Sequence, residues 1–470
     1  MIGIILPVFY TLGVATALHA AMTARTPTGA VAWVVSLLSI PFIAVPLYAV
    51  FGRNRFQGRA EAFEQRAKEI ETIIENCAEQ LKPWQVAANE CPSWYQATQD
   101  ISPHPLVSNN AVTLLINGNA TFSSILEGIA QAQHYILFQF YMLSDDDLGQ
   151  QIKQALSERA QAGVKVTVLF DEVGSQGLPD TYIEDMRSAG IDVSSFKPNQ
   201  GWFNRLQLNF RNHRKMIVID GHTAWVGGHN VGDEYMGRDP KLSPWRDTHV
   251  KIEGPAVLQV QLTLLADWYW ATREIPPVNW TPVPSPHNHQ HVMAFPTAPT
   301  GALENASLFF VTAINSAKHR VWISSPYFIP DEAVMKALQL AALRGVDVRI
   351  ITTGNPDSLP VYMASFHYIE QLLELNIRFF AYKPGFIHQK AMLIDDHSAS
   401  VGTHNFDNRS FRLNFEISML TVDHDFAQQM KTMFEQDFAY ATELNAKQLQ
   451  QRPLWWWLGV KLARLIAPVL

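Results

Sequence analysis

Two apolar runs open the chain. Ile2 to Met22 and Ala30 to Phe51 carry no Asp, Glu, Lys or Arg. Each is about the ~20 residues that a helix needs to cross a bilayer core. A cleavable signal sequence is disfavoured for the first run, because no basic region precedes it and a second run follows at once. Arg53, Arg55 and Arg59, then Arg66 and Lys68, flank the second run, and a cationic flank places that end in the cytoplasm. Residues 1–59 are thus predicted as two transmembrane helices in a hairpin, with the body of the protein cytoplasmic. Residues 60–105 read as a juxtamembrane helical linker: a charged helical pattern through Glu64, Lys68, Glu71 and Glu75, then Pro83, Pro92, Pro103 and Pro105.

Beyond the linker, apolar strand-like runs alternate with helical ones. Val112 to Leu115, Tyr135 to Tyr141 and Val164 to Phe170 read as strands, with helices over 121–132 and 146–162. This βαβ rhythm predicts a mainly parallel sheet covered by helices. It returns about 180 residues later: Ala132-Gln133-His134-Tyr135-Ile136 matches Ala317-Lys318-His319-Arg320-Val321, and Gly163-Val164-Lys165-Val166 matches Gly345-Val346-Asp347-Val348. The chain is internally duplicated, with halves expected over 106–280 and 301–450 and a Pro-rich linker over 281–300. His287, His289 and His291 in that stretch lack Cys or carboxylate partners nearby, so a solvated linker is a better reading than a metal tract. Residues 451–470 mix three adjacent tryptophans with Lys461 and Arg464 at helical spacing. They are expected as an interfacial amphipathic helix rather than one docked on the core.

The chemistry sits in two short stretches that repeat each other. His213, Lys215 and Asp220 recur as His388, Lys390 and Asp395, and each set is followed by a glycine turn and an asparagine, Asn230 or Asn405. One such triple is weak; two matching copies are a strong signal. The apolar runs after each Lys, Met216 to Ile219 and Ala391 to Ile394, read as buried strands. The net charge of −7 argues against a nucleic-acid partner. Cys77 and Cys91 offer neither metal-ligand spacing nor a disulfide framework, which fits a reducing compartment.

The paired His-x-Lys-x4-Asp motifs resemble the phospholipase D superfamily. Gly402-Thr403-His404-Asn405-Phe406-Asp407-Asn408-Arg409-Ser410 with Asn414-Phe415-Glu416 is similar to that family's second-half signature. Gly232-Asp233-Glu234-Tyr235, Trp245-Arg246-Asp247-Thr248-His249-Val250 and the N-terminal hairpin resemble its bacterial cardiolipin synthase branch. The resemblance implies an α/β fold of two phospholipase D-like halves related by a pseudo-twofold axis. It also implies phosphatidyl transfer between phosphatidylglycerol molecules at the anionic bilayer of a bacterial inner membrane, without cofactor or metal. It makes Asp247 and Glu416 the carboxylates that hold the imidazoles, and His213 the nucleophile with His388 as acid.

The residues suit that chemistry. Two imidazoles flanking one phosphorus can attack and protonate the leaving oxygen by turns. Lys215 and Lys390 supply positive charge to the non-bridging oxygens, and Asn230 and Asn405 can donate amide hydrogen bonds to them. Asp220 and Asp395 complete the motif and are expected to tie down the loop after each strand rather than touch substrate. His229 and His404, inside the repeated turns, are further candidates for the site. Water as acceptor would make the protein a phospholipase D that releases phosphatidic acid. A membrane-anchored nuclease and an inactive scaffold are the readings from other classes; the acidic balance and the anchor oppose the first, the intact motifs the second. The oligomeric state has no signature in the sequence.

Overall fold

Val107–Ile116 and Gln290–Thr297 pair antiparallel and join two matching halves of one mixed sheet. Outward from Val107–Ile116 come Thr248–Glu253, Thr223–Gly227, Met216–Ile219, Tyr135–Phe140, Lys165–Asp171 and Asp192–Phe196. Outward from Gln290–Thr297 come Asn414–Val422, Ser398–Gly402, Ala391–Ile394, Arg320–Ser324, Asp347–Thr353 and Arg378–Tyr382. Ala441–Glu443 adds an edge strand beyond Arg378–Tyr382; otherwise the same order on both sides is what a duplicated chain yields when its halves meet about a pseudo-twofold axis. In this computed structural model the described residues are 2–24, 26–52, 67–197, 209–301 and 303–467.

Local sequence explains the elements that carry the site. Tyr135–Phe140 is buried along its whole length, as a strand covered by helices on both faces must be. Asp146 caps the helix Asp147–Gln161 by accepting from Gly149 N, and Asp331 caps Glu332–Leu343 by accepting from Val334 N. Gly163 and Gly345 close these helix–strand units at φ of 95° and 84°, conformations that suit glycine. Two long helices, Val257–Thr272 and His424–Ala439, contribute to the buried core against the inner strands.

Three sequence expectations change. The linker expected over 281–300 ends early, because Gln290–Thr297 is the first strand of the second half and occupies the place that Val107–Ile116 holds in the first. Its Pro-rich approach and Pro296 hide the strand pattern. The juxtamembrane segment is no free linker: Ala67–Leu81 packs on Val257–Thr272 and buries Cys77 and Leu81 in the core. The second apolar run is not one continuous helix. It forms Pro27–Ser39 and Pro41–Phe51, separated at Ile40, where Pro41 brings no N–H and disfavours helical backbone before it.

Among the described residues, Ile2–Thr23 holds the one helix long and apolar enough to cross a membrane. The three N-terminal helices pack on one another, with a close approach of Gly13 to the Leu37 carbonyl and a His19–Tyr48 hydrogen bond of 2.8 Å. Their turn residues Thr26 and Thr28 line a cavity together with Asp331, Arg412 and Arg464 of the body. Arg53, Arg55, Arg59 and Arg66 of the cationic flank lie outside the described residues. The C-terminal helix Leu454–Arg464 docks on Leu359–Leu373 through Trp456 and Val460, yet leaves Leu454, Trp455, Leu458 and Leu462 exposed.

Candidate active site

Each histidine of the repeated motif enters the site at the end of a two-residue strand. Arg211–Asn212 pairs in parallel with Asn414–Phe415, and His213 N donates to Phe415 O at 3.0 Å. Phe386–Ile387 pairs in parallel with Trp245–Arg246, and His388 N donates to Arg246 O at 2.7 Å. Both pairings cross the molecular axis. They bring each imidazole against a carboxylate of the opposite half. His213 Nδ1–H donates to Glu416 at 2.9 and 3.0 Å, and His388 Nδ1–H donates to Asp247 at 2.7 Å. An ionised carboxylate accepts and cannot donate, so each ring carries its proton on Nδ1 and turns Nε2 outward as the reactive nitrogen.

Both rings line one cavity of about 460 Å³, shared by Asn230, Asn405, Tyr141, Tyr235, Trp245 and Tyr327. Asn230 spends one amide N–H on Tyr235 Oη at 2.6 Å, which leaves its second N–H free to serve a ligand. Asn405 is buried and its side-chain oxygen has no hydrogen-bond partner. Lys215 and Lys390 are buried beneath, each donating to the carbonyl oxygen of its own motif histidine, Lys215 at 2.7 Å.

A buried ion pair underlies each histidine strand. The Arg214 guanidinium reaches both oxygens of Asp267 at 2.7 Å, and Asp267 also accepts from Gln139 and Asn212. Across the axis, Arg246 meets Asp437 at 2.7 and 2.8 Å, and Gln389 donates to the same carboxylate. Breaking such a pair costs roughly 3–5 kcal/mol because an uncompensated charge stays buried. These contacts fix the register that delivers His213 and His388.

Asp220 and Asp395 face away from this cavity. Asp220 accepts from the backbone N–H groups of Gln133, His134 and Tyr135, and Asp395 from those of Lys318, His319 and Arg320. Each clamps the start of a neighbouring strand from a left-handed turn position, at φ of 54° and 53°. The histidines of the repeated turns are also withdrawn. His229 Nδ1 meets His249 Nδ1 at 3.0 Å, and His404 bonds Ser418 and Thr297, both at 2.8 Å. Gly228 precedes the first of these because a Cβ there would stand 2.0 Å from an Asp247 oxygen.

Burial sets the protonation states. It drives His213 down to about 4 against the upward pull of Glu416, and His388 down to about 3 with Lys390 adding to the fall. Glu416 feels burial upward, but His213 and the neighbouring cations bring it to about 2; Asp247 is likewise held well below the carboxylate range by His229, His388 and Lys390. Burial lowers Lys390 to about 8 and holds Lys215 well below its usual value. The two rings are thus neutral and the two carboxylates ionised.

Several cavity residues were not singled out from the sequence. Arg211, Glu234, Tyr327, Asp357, Asp407 and Arg409 all line it. Glu234, Asp407 and Arg409 lie inside motif stretches, so their signal was present; Asp357 comes from a loop with none.

The fold and the two-histidine site define a phospholipase D-like protein. A family model described as the cardiolipin synthase, PLD-like domain matches residues 125–258 and 310–438. Cardiolipin synthase A of Pseudomonas putida strain W619 is 46% identical, covering 100% of this chain and 98% of that protein. The protein of that name from Pseudomonas fluorescens strain Pf-5 is 44% identical over the same shares. In fold, the chain is similar to the crystal structure of phosphatidylserine synthase from Haemophilus influenzae, with a TM-score of 0.61 at 15% identity, covering 80% of this chain and 100% of that one. The chain belongs to the cardiolipin synthase family.

Proposed function

We propose that the protein moves a phosphatidyl group from one phosphatidylglycerol to the glycerol headgroup of a second, giving cardiolipin and free glycerol. The observation that carries this reading is the convergence of two carboxylate-held imidazoles on one cavity, in a chain of this family. His213 Nε2 attacks phosphorus while His388, charged once the phosphodiester anion lies beside it, protonates the leaving glycerol oxygen. His388 then takes the proton of the incoming hydroxyl, which displaces His213. Lys215 and Lys390 offset the charge that builds on the non-bridging oxygens, and Asn230 and Asn405 donate to them. Glu416 and Asp247 hold each ring in the tautomer that leaves Nε2 reactive. Asp220 and Asp395 serve by fixing strands. One phosphodiester is exchanged for another, so the reaction needs no activated nucleotide.

The membrane supplies both lipids. The N-terminal helices and the exposed face of Leu454–Arg464 seat the protein there, with the body on the cytoplasmic side that the cationic flank argues for. The break at Ile40 and the cavity that Thr26 and Thr28 share with the body favour a hairpin that dips into one leaflet over two full crossings. A Thr28→Cys variant that also carries Cys77→Ser and Cys91→Ser, labelled by an impermeant maleimide only in inside-out vesicles, supports this; labelling only in spheroplasts restores the spanning hairpin.

The assay for the reaction uses mixed micelles of radiolabelled phosphatidylglycerol, following cardiolipin, phosphatidic acid and glycerol together. Equimolar cardiolipin and glycerol are expected. Phosphatidic acid as the main product would make the protein a hydrolase, and digestion of single-stranded DNA in a parallel reaction would make it a nuclease.

A further inference from the structure

The cavity around the histidine pair carries both signs of charge, with Asp407 beside Arg409 on the His213 side and two further carboxylates on the His388 side. Arg211 and Arg409 line it near Tyr141, whose ring centroid lies 5.0 Å from that of His213. Glu234 and Asp357 line it near His388. Glu234 adjoins Tyr235, whose ring centroid is 6.1 Å from that of His388. Asp357 accepts a short hydrogen bond from Tyr327 and lies close enough to act on Lys390.

Carboxylates make a poor wall for a phosphodiester, because like charges repel it. What they accept well is a hydroxyl proton, and hydrogen bonds to an ionised acceptor are the strong ones. The Asn405 side-chain oxygen, buried, unpartnered and lining the same cavity, is one more acceptor without a donor. Asp407 and the likewise unpartnered Asn414 oxygen line the cavity too, and a cavity so rich in acceptors that must also hold an anion calls for a ligand with several hydroxyls beside its phosphate.

We propose that Glu234 and Asp357 form a polyol subsite on the His388 side of the cavity, which takes the hydroxyls of the departing glycerol and then those of the accepting headgroup. The inference rests on the phosphatidyl-transfer reading. In the first step the His213–phosphorus bond forms, the phosphorus–glycerol bond breaks, and the glycerol oxygen takes the proton from His388 Nε2. In the second, a headgroup hydroxyl held by the carboxylates gives its proton to His388 Nε2 and bonds to phosphorus as the His213–phosphorus bond breaks. Alcohols enter and leave at His388, which makes His213 the nucleophile. Water needs no such subsite, so the carboxylates set the balance between transfer and hydrolysis.

The test compares wild type with Glu234→Gln and Asp357→Asn, two near-isosteric changes of which either alone suffices. Phosphatidylglycerol vesicles are supplied with 1-butanol as a competing acceptor without a polyol, and cardiolipin, phosphatidic acid and phosphatidylbutanol are counted. Each variant is expected to lower the ratio of cardiolipin to phosphatidylbutanol about tenfold and to raise the share of phosphatidic acid. An unchanged ratio in a variant that melts like wild type overturns the subsite, as does an equal loss of both products. In vesicles that also hold phosphatidylethanolamine, a wild-type preference for the amine headgroup that the variants abolish assigns the carboxylates to an ammonium group and overturns the polyol. Failure of wild type to make any cardiolipin sinks the parent reading instead, so the two failures are distinct.

Discussion

The two halves agree where they hold the reacting groups and differ just behind and beside them. Each supplies a histidine on a short cross-axis strand, and each supplies the carboxylate for the other's ring. Behind the carboxylates the match fails. His404 is satisfied on both ring nitrogens by Ser418 and Thr297, whereas the equivalent His229 faces His249, and both of those rings leave Nε2 without a partner. The strand positions correspond, since Gly227 pairs with His249 and Gly402 with Ser418. The lips differ as well: Arg211 and Arg409, with Asp407, line the cavity beside His213, and Glu234 and Asp357 line it beside His388. Symmetry is kept in the two carboxylate-held rings and given up behind and beside them, as the proposed division of attack and protonation between the rings requires.

The largest effect is expected from cutting the crossed pairs. Asp247→Asn and Glu416→Gln each leave a ring in place but unsettle its tautomer, which should cost roughly 10²–10⁴-fold in kcat. The two defects should differ in kind. Asp247→Asn impairs the acid–base ring and so spares a donor whose leaving group needs no proton, whereas Glu416→Gln slows every donor. Equal behaviour of both variants on such a donor would mean that the halves do not divide the work.

The inner layer gives a smaller effect, on stability. His404→Ala strands two buried partners and should cost about 1–3 kcal/mol, read as a lowered denaturation midpoint. His249→Ser, which copies the second half into the first, should cost less, because the Nε2 it removes was already unsatisfied. The reverse order would show that the unpartnered nitrogens are bonded to water that stabilises the pair.

Much of this was legible in the sequence. The duplicated motif gave the pairs His213–Lys215 and His388–Lys390, and apolar runs marked the strands after them. The crossing was not legible, because spacing along the chain cannot say which half's carboxylate meets which ring; Glu416 lies far from His213 in sequence and bonds it through a two-residue parallel bridge. The Arg214–Asp267 and Arg246–Asp437 pairs were hidden for the same reason. The break at Ile40 was written in Pro41, but the absence of charge outweighed it. The strand Gln290–Thr297 was masked by the proline-rich approach that leads to it.

Acidity should weaken both halves in the same direction. Burial lowers His213 and His404 to about 4 and His388 to about 3 from an ordinary 6.5. The folded protein therefore binds fewer protons than the unfolded chain between these values, and stability falls as pH drops through that window. Glu416, depressed from 4.5 to about 2, adds a loss at still lower pH with the same sign. Melting temperature should decline steadily from pH 7 to pH 4; a plateau would mean that the rings are already charged in the fold. The smallest effect concerns the C-terminal helix. Deleting the residues after Arg452 should weaken activity on bilayers more than on detergent-dispersed lipid, and equal loss in both would leave the helix a docking element alone.

The central claim, one covalent histidine and one acid–base histidine converging on a single phosphorus, is tested most directly with acyl-labelled phosphatidyl-p-nitrophenol. This donor needs no proton to leave. His388→Ala should release one equivalent of nitrophenol in a burst and retain the lipid label on His213 after a neutral detergent quench, while His213→Ala should show neither. A burst and label in His213→Ala, or cardiolipin synthesis by the double variant, would contradict the account.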